Sequence, residues 1–277
     1  MDDKQFKTLL EHLDYSFEGY RRVRRGVKKR IRRHMQALEC RDVTAYLAYL
    51  AASPVDREAC LRLLSVSISR FMRDRPLWEA LGDTWLPALH GRFGPRLRAW
   101  SAGCACGEEA YSLAIVHQEA ASRLASDPPL ELTIRATDLN PAVLARARDG
   151  IYPASSLREM PPDLRERYFL PLRGGRRYRI RSELNAAIEW GRQDLTSDPP
   201  EQACHLVLLR NNILTYLDGP RQAPIIKKVM QCLCPGGLFA IGSREKLPGG
   251  FPELRPIAEQ IPFVFRRRPP HDDIGRD

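Results

Sequence analysis

The stretch WSAGCACGEEAYSLA, residues 100–114, constrains the fold of this chain more than any other segment of its sequence does. Residues 97–100, which can form a short buried strand, lead into it, and residues 108–121, rich in Ala and Leu, are predicted to form a helix. Between them, Gly103 and Gly107 bracket a turn of small residues. A strand, a tight turn and a helix in this order are typical of a nucleotide-binding site at the edge of a parallel sheet.

After residue 114, strands and helices continue to alternate along the chain. Strands are predicted at residues 132–136, 205–209 and 238–241, and helices at 141–148 and 220–234. Asn140 is the predicted N-cap of the first of these helices and Gly150 ends it, while Pro235, Gly236 and Gly237 end the other. This order predicts an α/β fold with an open parallel sheet and helices on both sides.

Residues 151–190 interrupt the alternation. The adjacent Gly174 and Gly175 separate two short segments and indicate a hairpin, so a small antiparallel β insertion is expected there. The first ninety or so residues are predicted to be wholly helical. We therefore expect an all-α N-terminal domain at 1–64, a linker at 65–75, and an α/β domain at 76–277 that contains the insertion.

Residues 16–38 form the most basic part of the helical region. Apolar side chains recur there at helical spacing, at Val23, Val27, Ile31, Met35 and Leu38. Lysines and arginines cover the other faces, at Arg21, Arg22, Arg24, Arg25, Lys28, Lys29, Arg30, Arg32 and Arg33. Such a run is usually a solvated face, but the near absence of local acidic residues also favours a docking surface for an acidic partner.

The composition limits the remaining classes of protein. The formal net charge of +10 predicts an acidic partner surface without identifying its chemistry. No secretory leader and no apolar run long enough to span a bilayer occurs, so a cytoplasmic protein without membrane insertion is expected. The seven cysteines form no C-x-x-C pair and have no histidine at metal spacing beside them, which favours free, mostly buried thiols and no metal site.

Two carboxylates indicate which nucleotide-like ligand the turn would hold. Asp138 ends the strand predicted after the turn, where a carboxylate can accept hydrogen bonds from the two ribose hydroxyls. Glu108 follows the turn directly, which suits a cationic ligand but not a pyrophosphate. This contrast favours S-adenosylmethionine over a dinucleotide. The alternative is that Glu108 and Glu109 only complement the positive end of the helix dipole.

Several segments, in order, resemble the motifs of the CheR family of chemotaxis receptor methyltransferases. FEGYRRVRRGVKKRIRRHM resembles the family's basic N-terminal helix, SISRFMRD its T-x-F-F-R-D, and WSAGCACGEEAYSLA its S-A-G-C-S-T-G-E-E-P-Y-S. ATDLNPAVLARARDGIY is similar to its A-T-D segment and NNILTYLD to its R-N-V-L-I-Y-F-D. The resemblance extends from about residue 6 to residue 267. It implies a Rossmann-like S-adenosylmethionine-dependent methyltransferase sheet.

The resemblance also implies roles for individual residues. Arg73 would lie near the transferring methyl and Tyr216 beside the reaction centre, and these two are the expected catalytic residues. Glu108 would meet the methionine ammonium, Asp138 the ribose, and the segment at 194–195 the adenine. The residues expected to bind the cofactor are Ser67, Ser69, Arg73, Glu108, Asp138, Asp194, Leu195, Arg210 and Asn211.

The segment RNNILTYLD departs from the family pattern and leaves two registers open. If Tyr216 and Asp218 set the register, Asn211 occupies the place of the usual arginine. A one-residue insertion would instead keep Arg210 paired with Asn211. In a strand, this shift of one residue reverses the face on which a side chain lies.

The activity implied by the resemblance is protein-glutamate O-methylation. A glutamate carboxylate, with a reference pKa of about 4.3, is already ionised near neutral pH and needs no general base. The chain would then align and desolvate the reactants, with Arg73 holding the acceptor carboxylate and Tyr216 fixing the geometry. The expected partner is a methyl-accepting chemoreceptor whose acidic helices dock on the basic helix. The insertion PLRGGRRYRI is short, which favours a member that uses no receptor tail as a tether.

Two other functional classes remain open. A non-catalytic module that binds S-adenosylmethionine in signalling is consistent with the altered RNN segment. Methylation of nucleic acid, or of a small molecule, ranks below it, because the segment does not read N-P-P-Y and no aromatic side chain interrupts residues 21–33 for base stacking. The sequence does not indicate the oligomeric state or the receptor.

Overall fold

The computed structural model describes residues 1–67, 69–196 and 202–269. The chain divides into two compact units. The first consists of Met1–Val66 together with Asn211–Pro224, and the second of the other described residues. The first unit is therefore built from two segments that are far apart in the sequence.

The first unit is helical. Its helices are α1 (Asp3–His12), α2 (Arg24–Ala37), α3 (Val43–Ala52) and α4 (Pro54–Leu64), with a short 3₁₀ helix at Glu18–Tyr20. Side chains cap three of them: Asp2 forms a capping box with Gln5, Asp42 caps α3, and Ser53 caps α4. Pro54 is compatible with the first helical position, because an amide hydrogen there would have no partner within the helix.

The basic segment does not form one continuous helix. The 3₁₀ helix at its beginning is separated from α2 by a turn, and the α-helix begins only at Arg24. Gly19 in this region lacks helix propensity, and a Cβ there would overlap the carbonyl of Thr215. The turn places Tyr20 in the core, where its hydroxyl donates to the carbonyl of Leu64 at 3.2 Å. Val27, Ile31 and Met35 line the buried face of α2.

The second unit contains a seven-stranded sheet. Its strands are β1 (Arg96–Ala102), β2 (Glu131–Asp138), β6 (Ile188–Arg192), β7 (Cys204–Leu209), β8 (Leu233–Ile241), β9 (Leu254–Pro256) and β10 (Val264–Arg267). They lie in the order β6-β2-β1-β7-β8-β10-β9, with β10 antiparallel to β8 and β9 and the others parallel. The predicted α/β class and the mostly parallel sheet are confirmed.

Helices accompany these strands. They are α5 (Arg75–Ala80), α6 (Leu86–Phe93), α7 (Glu108–Leu124), α8 (Pro141–Asp149), α9 (Pro162–Tyr168) and α11 (Gly219–Cys232). A π-helical turn at Leu81–Trp85 connects α5 and α6. The short helix α10 (Ile213–Tyr216) belongs to the first unit. As predicted, Asn140 caps α8 and Gly150, in the left-handed conformation, ends it. Ala102 of β1 pairs with Thr137 of β2, so the two strands end side by side.

A second, three-stranded antiparallel sheet has the order β3-β5-β4, formed by Ile151–Pro153, Arg177–Ile180 and Phe169–Leu172. The predicted hairpin at Gly174 and Gly175 connects β4 and β5. Ile188–Arg192, at the end of the expected insertion, instead pairs in parallel with β2. Its first residue, Ile188, is buried opposite Ile134, which explains why this strand joins the large sheet.

The predicted helix end at Pro235, Gly236 and Gly237 is wrong. The helix α11 ends at Cys232, and these three residues lie inside β8. The pairing of β8 with β7 shifts register between Cys204 and Leu206, and Gly236 adopts a φ of 85°. The glycine therefore accommodates an irregularity in a strand, which it can do without a steric penalty.

Apart from the core of the first unit, a large buried cluster lies in the second unit and includes Leu113, Ile134 and Leu208 among its fully buried side chains. All seven cysteines are free thiols, and five of them are buried. Within the described ranges, no helix combines the length and the apolar character that crossing a bilayer requires.

Candidate active site

The turn between β1 and α7 is anchored on the end of β2. The amides of Gly103 and Cys104 donate to the carbonyl of Thr137 at 2.8 and 2.9 Å, and the amide of Gly107 donates to the carbonyl of Cys104 at 2.9 Å. Gly107 has a φ of 88°, and a Cβ there would lie 2.7 Å from the ring of Trp190. Glycine is therefore required at this position by both conformation and space.

Asp138, at the end of β2, stabilises the same turn. One oxygen of its carboxylate accepts from the amide of Ala105 at 3.0 Å, and the other accepts from the amide of Asn140 at 2.9 Å. Burial raises the pKa of this carboxyl, although the two backbone hydrogen bonds favour its ionised form. Each oxygen retains a lone pair, so the carboxylate can still accept from a ligand hydroxyl.

Glu108 is the first residue of α7 and is only 4% exposed. Its Oε1 lies 3.5 Å from the hydroxyl of Ser156, while Oε2 has no hydrogen-bond partner among the described residues. Burial raises the pKa of this carboxyl. A buried carboxylate oxygen of this kind needs a cation or a proton, because leaving it unpaired costs free energy. The ammonium of a methionine moiety fits this requirement.

Glu109, the next residue, has different surroundings. Its Oε1 accepts from the hydroxyl of Ser101 at 2.7 Å, and its Oε2 pairs with the guanidinium of Arg210 at 3.0 Å. Burial raises the pKa of Glu109 more than these two partners lower it. Both carboxylate oxygens have protein partners, so Glu109 belongs to the internal polar structure of the site.

Arg210 is the buried arginine of the segment RNNILTYLD. Its side chain is 3% exposed and turned into the second unit, where it also pairs with Asp74 at 2.7 Å. We refer to Asp74, Glu109 and Arg210 as the arginine cluster. Asn211, the next residue, belongs to the first unit and has a φ of 58°. The choice between the two registers, and the contact of Arg210 with a cofactor, stay predictions.

Other residues predicted to bind the cofactor also lie in the second unit. Ser67, Ser69 and the side chain of Arg73 are partly buried, and the carbonyl of Arg73 accepts from the guanidinium of Arg210 at 3.1 Å. Asp194 accepts from the amide and hydroxyl of Thr196 at 2.8 and 2.7 Å. Leu195 is also partly buried. Their contact with a cofactor stays a prediction.

The segment that carries Asp194 and Leu195 is nevertheless connected to the end of β2. The amide of Gln193 donates to the carbonyl of Asp138 at 3.2 Å. The segment predicted to contact the adenine is therefore linked, within the same unit, to Asp138, which is predicted to contact the ribose.

Tyr216, predicted to be catalytic, belongs to the first unit. Its ring centroid lies 4.9 Å from that of Tyr20, and its carbonyl accepts from the amide of Ser16 at 2.9 Å. Tyr216 is also partly buried. These contacts describe a tyrosine packed against the helical core, and its catalytic role stays a prediction.

Four residues that border these carboxylates were not predicted from the sequence. Ser156 contacts Glu108, and the hydroxyl of Tyr152 donates to the carbonyl of Cys106 at 2.7 Å. Ser112 donates to the carbonyl of Glu108 at 2.7 Å, and Asp74 pairs with Arg210. Asp74 lies in the segment SISRFMRD and could have been recognised there as a charged partner. The sequence carries no comparable signal for the other three residues.

Comparison with known proteins agrees with this geometry. The family model described as CheR methyltransferase, SAM binding domain, matches residues 67–261. Chemotaxis protein methyltransferase 2 of Pseudomonas aeruginosa is 29% identical over 85% of this chain and 83% of its own length. The chemotaxis protein methyltransferase of Listeria monocytogenes is 31% identical over 73% of this chain and 74% of its own length.

An uncharacterised 104.1 kDa protein of Rhodobacter capsulatus is 32% identical over 80% of this chain, which spans only 23% of that protein. The match to the family model covers more than half of the chain and includes the turn, Glu108 and Asp138. The matched domain is described as binding S-adenosylmethionine, and the contact of Glu108 with this cofactor stays a prediction. The chain belongs to the CheR methyltransferase family.

Proposed function

We propose that this protein transfers the methyl group of S-adenosylmethionine to glutamate side chains of a chemoreceptor-like protein. The observation that carries the proposal is the buried carboxylate of Glu108, whose Oε2 lacks a partner among the described residues, in a segment that matches the family model. The names of the relatives support a chemotaxis substrate. The reaction would take place in the cytoplasm.

S-adenosylmethionine, when bound, supplies an electrophilic methyl group on a sulfonium. In our proposal Glu108 binds the ammonium of its methionine part, and Asp138 accepts from the ribose hydroxyls. The backbone of residues 103–107, which the carbonyl of Thr137 and the carboxylate of Asp138 already hold, gives the ligand a close approach. Asp194 and Leu195 would border the adenine, and Ser67 and Ser69 the opposite side.

The acceptor needs no proton transfer, since a glutamate carboxylate is ionised near neutral pH. The chain then has to hold that carboxylate in line with the methyl group and exclude water. We assign the first task to the guanidinium of Arg73 and the fixing of local geometry to Tyr216. Both are assignments by family resemblance.

The basic helix α2 supports an acidic protein partner. Arg24 and Lys28 pair with Asp3, and Arg30 donates to the carbonyls of Leu63 and Ser65. The other basic side chains of this segment are exposed, at Arg21, Arg22, Arg25, Lys29, Arg32 and Arg33. They are thus accessible to an acidic helix of a receptor. Complementary charge would speed and orient that encounter.

The test is transfer of a radiolabelled methyl group from S-adenosylmethionine to a cytoplasmic chemoreceptor fragment. Glutamate methyl esters release methanol in base, so volatile base-released label is the expected product. A fragment in which the helix glutamates are replaced by alanine is the control and should take up no label. Binding of S-adenosylmethionine without transfer would instead support a signalling module, and base-stable label would point to another substrate class.

The docking surface has its own test. Reversing two exposed charges, with Arg32→Glu and Arg33→Glu together, should lower kcat/KM for the receptor fragment at least tenfold at low salt and leave the affinity for S-adenosylmethionine unchanged. Lys4→Glu, an exposed charge reversal on α1, is the matched control. Equal kcat/KM for both proteins would remove α2 from the proposal.

A further inference from the structure

Arg73 is flanked by two residues in an unusual conformation. Met72 has a φ of 52° and Asp74 a φ of 62°, and neither is a glycine. A left-handed conformation in such residues is unfavourable and persists only where the surroundings impose it. The contacts around residues 72–74 therefore have to stabilise it.

On one side, the backbone of Met72 is tied to α7. Its amide donates to the hydroxyl of Ser112 at 3.0 Å, and that hydroxyl donates to the carbonyl of Glu108 at 2.7 Å. Met72 is 3% exposed and Ser112 is fully buried. The conformation before Arg73 is thus fixed by the same helical turn that presents Glu108.

On the other side, the arginine cluster holds Asp74. One carboxylate oxygen accepts from the hydroxyl of Ser243 at 2.8 Å, and the other pairs with the guanidinium of Arg210 at 2.7 Å. Burial opposes ionisation, but Arg210, Ser243 and Arg73 together hold the pKa of Asp74 below its ordinary value. Asp74 is therefore a carboxylate at neutral pH.

The carbonyl of Arg73 itself accepts two hydrogen bonds. The guanidinium of Arg210 donates to it at 3.1 Å and the indole of Trp78 at 2.7 Å. Arg210 thus contacts the backbone of Arg73, the side chain of Asp74 and, through Glu109, the first turn of α7. The planar guanidinium can make these contacts together because its donors are fixed in direction.

We propose that Ser112, Asp74 and Arg210 are positioning residues of the methyl transfer. They impose the left-handed conformations on both sides of Arg73, and this sets the direction in which its guanidinium meets the acceptor. The inference rests on the role assigned to Arg73 in the proposed function. It predicts that Ser112 and Asp74, which are not among the residues expected to bind the cofactor, affect the rate of transfer far more than the affinity for S-adenosylmethionine.

The first test separates kcat from cofactor affinity. Arg210→Lys keeps the charge but replaces a planar fork by a single ammonium, and Asp74→Asn removes the charge that Arg210 pairs with. Each should lower kcat by at least tenfold, and Asp74→Asn, at a residue not expected to bind the cofactor, should change the Kd for S-adenosylmethionine less than threefold. Glu109→Gln is the matched control, because it weakens the same buried cluster without contacting residues 72–74 and should keep more of the native kcat.

Amide hydrogen exchange provides a readout that needs no substrate. Ser112→Ala removes the acceptor for the amide of Met72, so exchange at residues 71–74 should accelerate in this variant and in Arg210→Lys, but less in Glu109→Gln. Unchanged exchange would overturn the inference even if the native protein transferred no methyl group. Conversely, a native protein that transfers methyl groups, with native kcat in Asp74→Asn and Arg210→Lys, would overturn it and leave the proposed function intact.

Discussion

Glu108 and Glu109 are neighbours in sequence and begin the same helix, yet they lie in two different kinds of polar region. Glu109 joins the arginine cluster, where each carboxylate and the guanidinium between them have protein partners. Glu108 borders the glycine turn with one oxygen that has no partner among the described residues. Removing the partner of a paired buried charge destabilises the fold, whereas an unpaired carboxylate oxygen is available to a ligand.

The largest effect should come from the arginine cluster. Arg210→Met leaves two partly buried carboxylates, Asp74 and Glu109, without their cation, and breaking a buried pair costs about 3–5 kcal/mol. We expect the midpoint of urea unfolding to fall accordingly. Glu108→Gln is the comparison: it removes a buried carboxylate that forms no ion pair among the described residues, and it should keep or slightly raise the stability of the unliganded protein. Equal losses in both variants would mean that the two regions do not differ.

Ligand affinity should reverse this order. A hydrogen bond to a charged group contributes about 1.5–3 kcal/mol, so Glu108→Gln should weaken binding of S-adenosylmethionine by about tenfold to a hundredfold. Isothermal titration measures this directly. Glu109→Gln, with the same chemical change one residue away, should retain affinity within about threefold. A comparable loss in the two variants would show that the helix end as a whole, and not Glu108, attracts the ligand.

Acidification should separate affinity from stability. Burial raises the pKa of Glu108, so this carboxyl takes up its proton at a higher pH than an ordinary glutamate. Affinity for the cationic cofactor should fall as the pH drops through that pKa. The native state then binds more protons than the unfolded state, so this group makes the unliganded protein relatively more stable over the same interval. Glu108→Gln should remove the part of the fall in affinity and of the gain in stability that protonation of Glu108 causes. Titration with the cofactor and urea unfolding, each at several pH values, would show this.

The smallest effect on stability should come from an exposed ion pair whose N–O distance equals that of Arg210 and Asp74 in the arginine cluster. Arg75 and Glu79 lie 2.7 Å apart, as do Arg210 and Asp74, but their side chains are 67% and 55% exposed. Exposed pairs four residues apart in a helix contribute about 0.3–0.5 kcal/mol. Arg75→Ala should therefore shift the unfolding midpoint only slightly. A loss above about 1 kcal/mol would indicate that distance, and not burial, governs these pairs.

Much of the fold could be predicted from local patterns. The strand, turn and helix around residues 100–114 follow from an apolar segment, two glycines and a helical run, and the cap at Asn140 follows from its residue type. Two local patterns gave wrong predictions. Gly19 and the buried Tyr20 break the basic helix, and Gly236 lies in an irregular strand where a helix end was predicted. Both depend on contacts with residues distant in sequence.

The site was predictable only in part, for the same reason. Glu108 and Asp138 stand at element ends that the sequence already indicated. The cluster that holds Arg73 connects residues more than a hundred positions apart, such as Arg210 with Asp74 and Ser243 with Asp74. The side on which Arg210 lies also depends on a shift of one residue that a single sequence leaves open. Such pairings are properties of the folded chain.

The discontinuity of the first unit has a consequence for synthesis. Its core is not closed by residues 1–66 alone, because Tyr216 packs on Tyr20 and Leu217 bridges to Tyr15. At 5–20 residues per second, the ribosome adds Asn211–Pro224 on the order of ten seconds after Val66. During this interval the aromatic surface around Tyr20 lacks its native cover. An amino-terminal fragment cut at residue 66 would retain that exposed surface permanently, and we expect it to aggregate more readily than the whole chain.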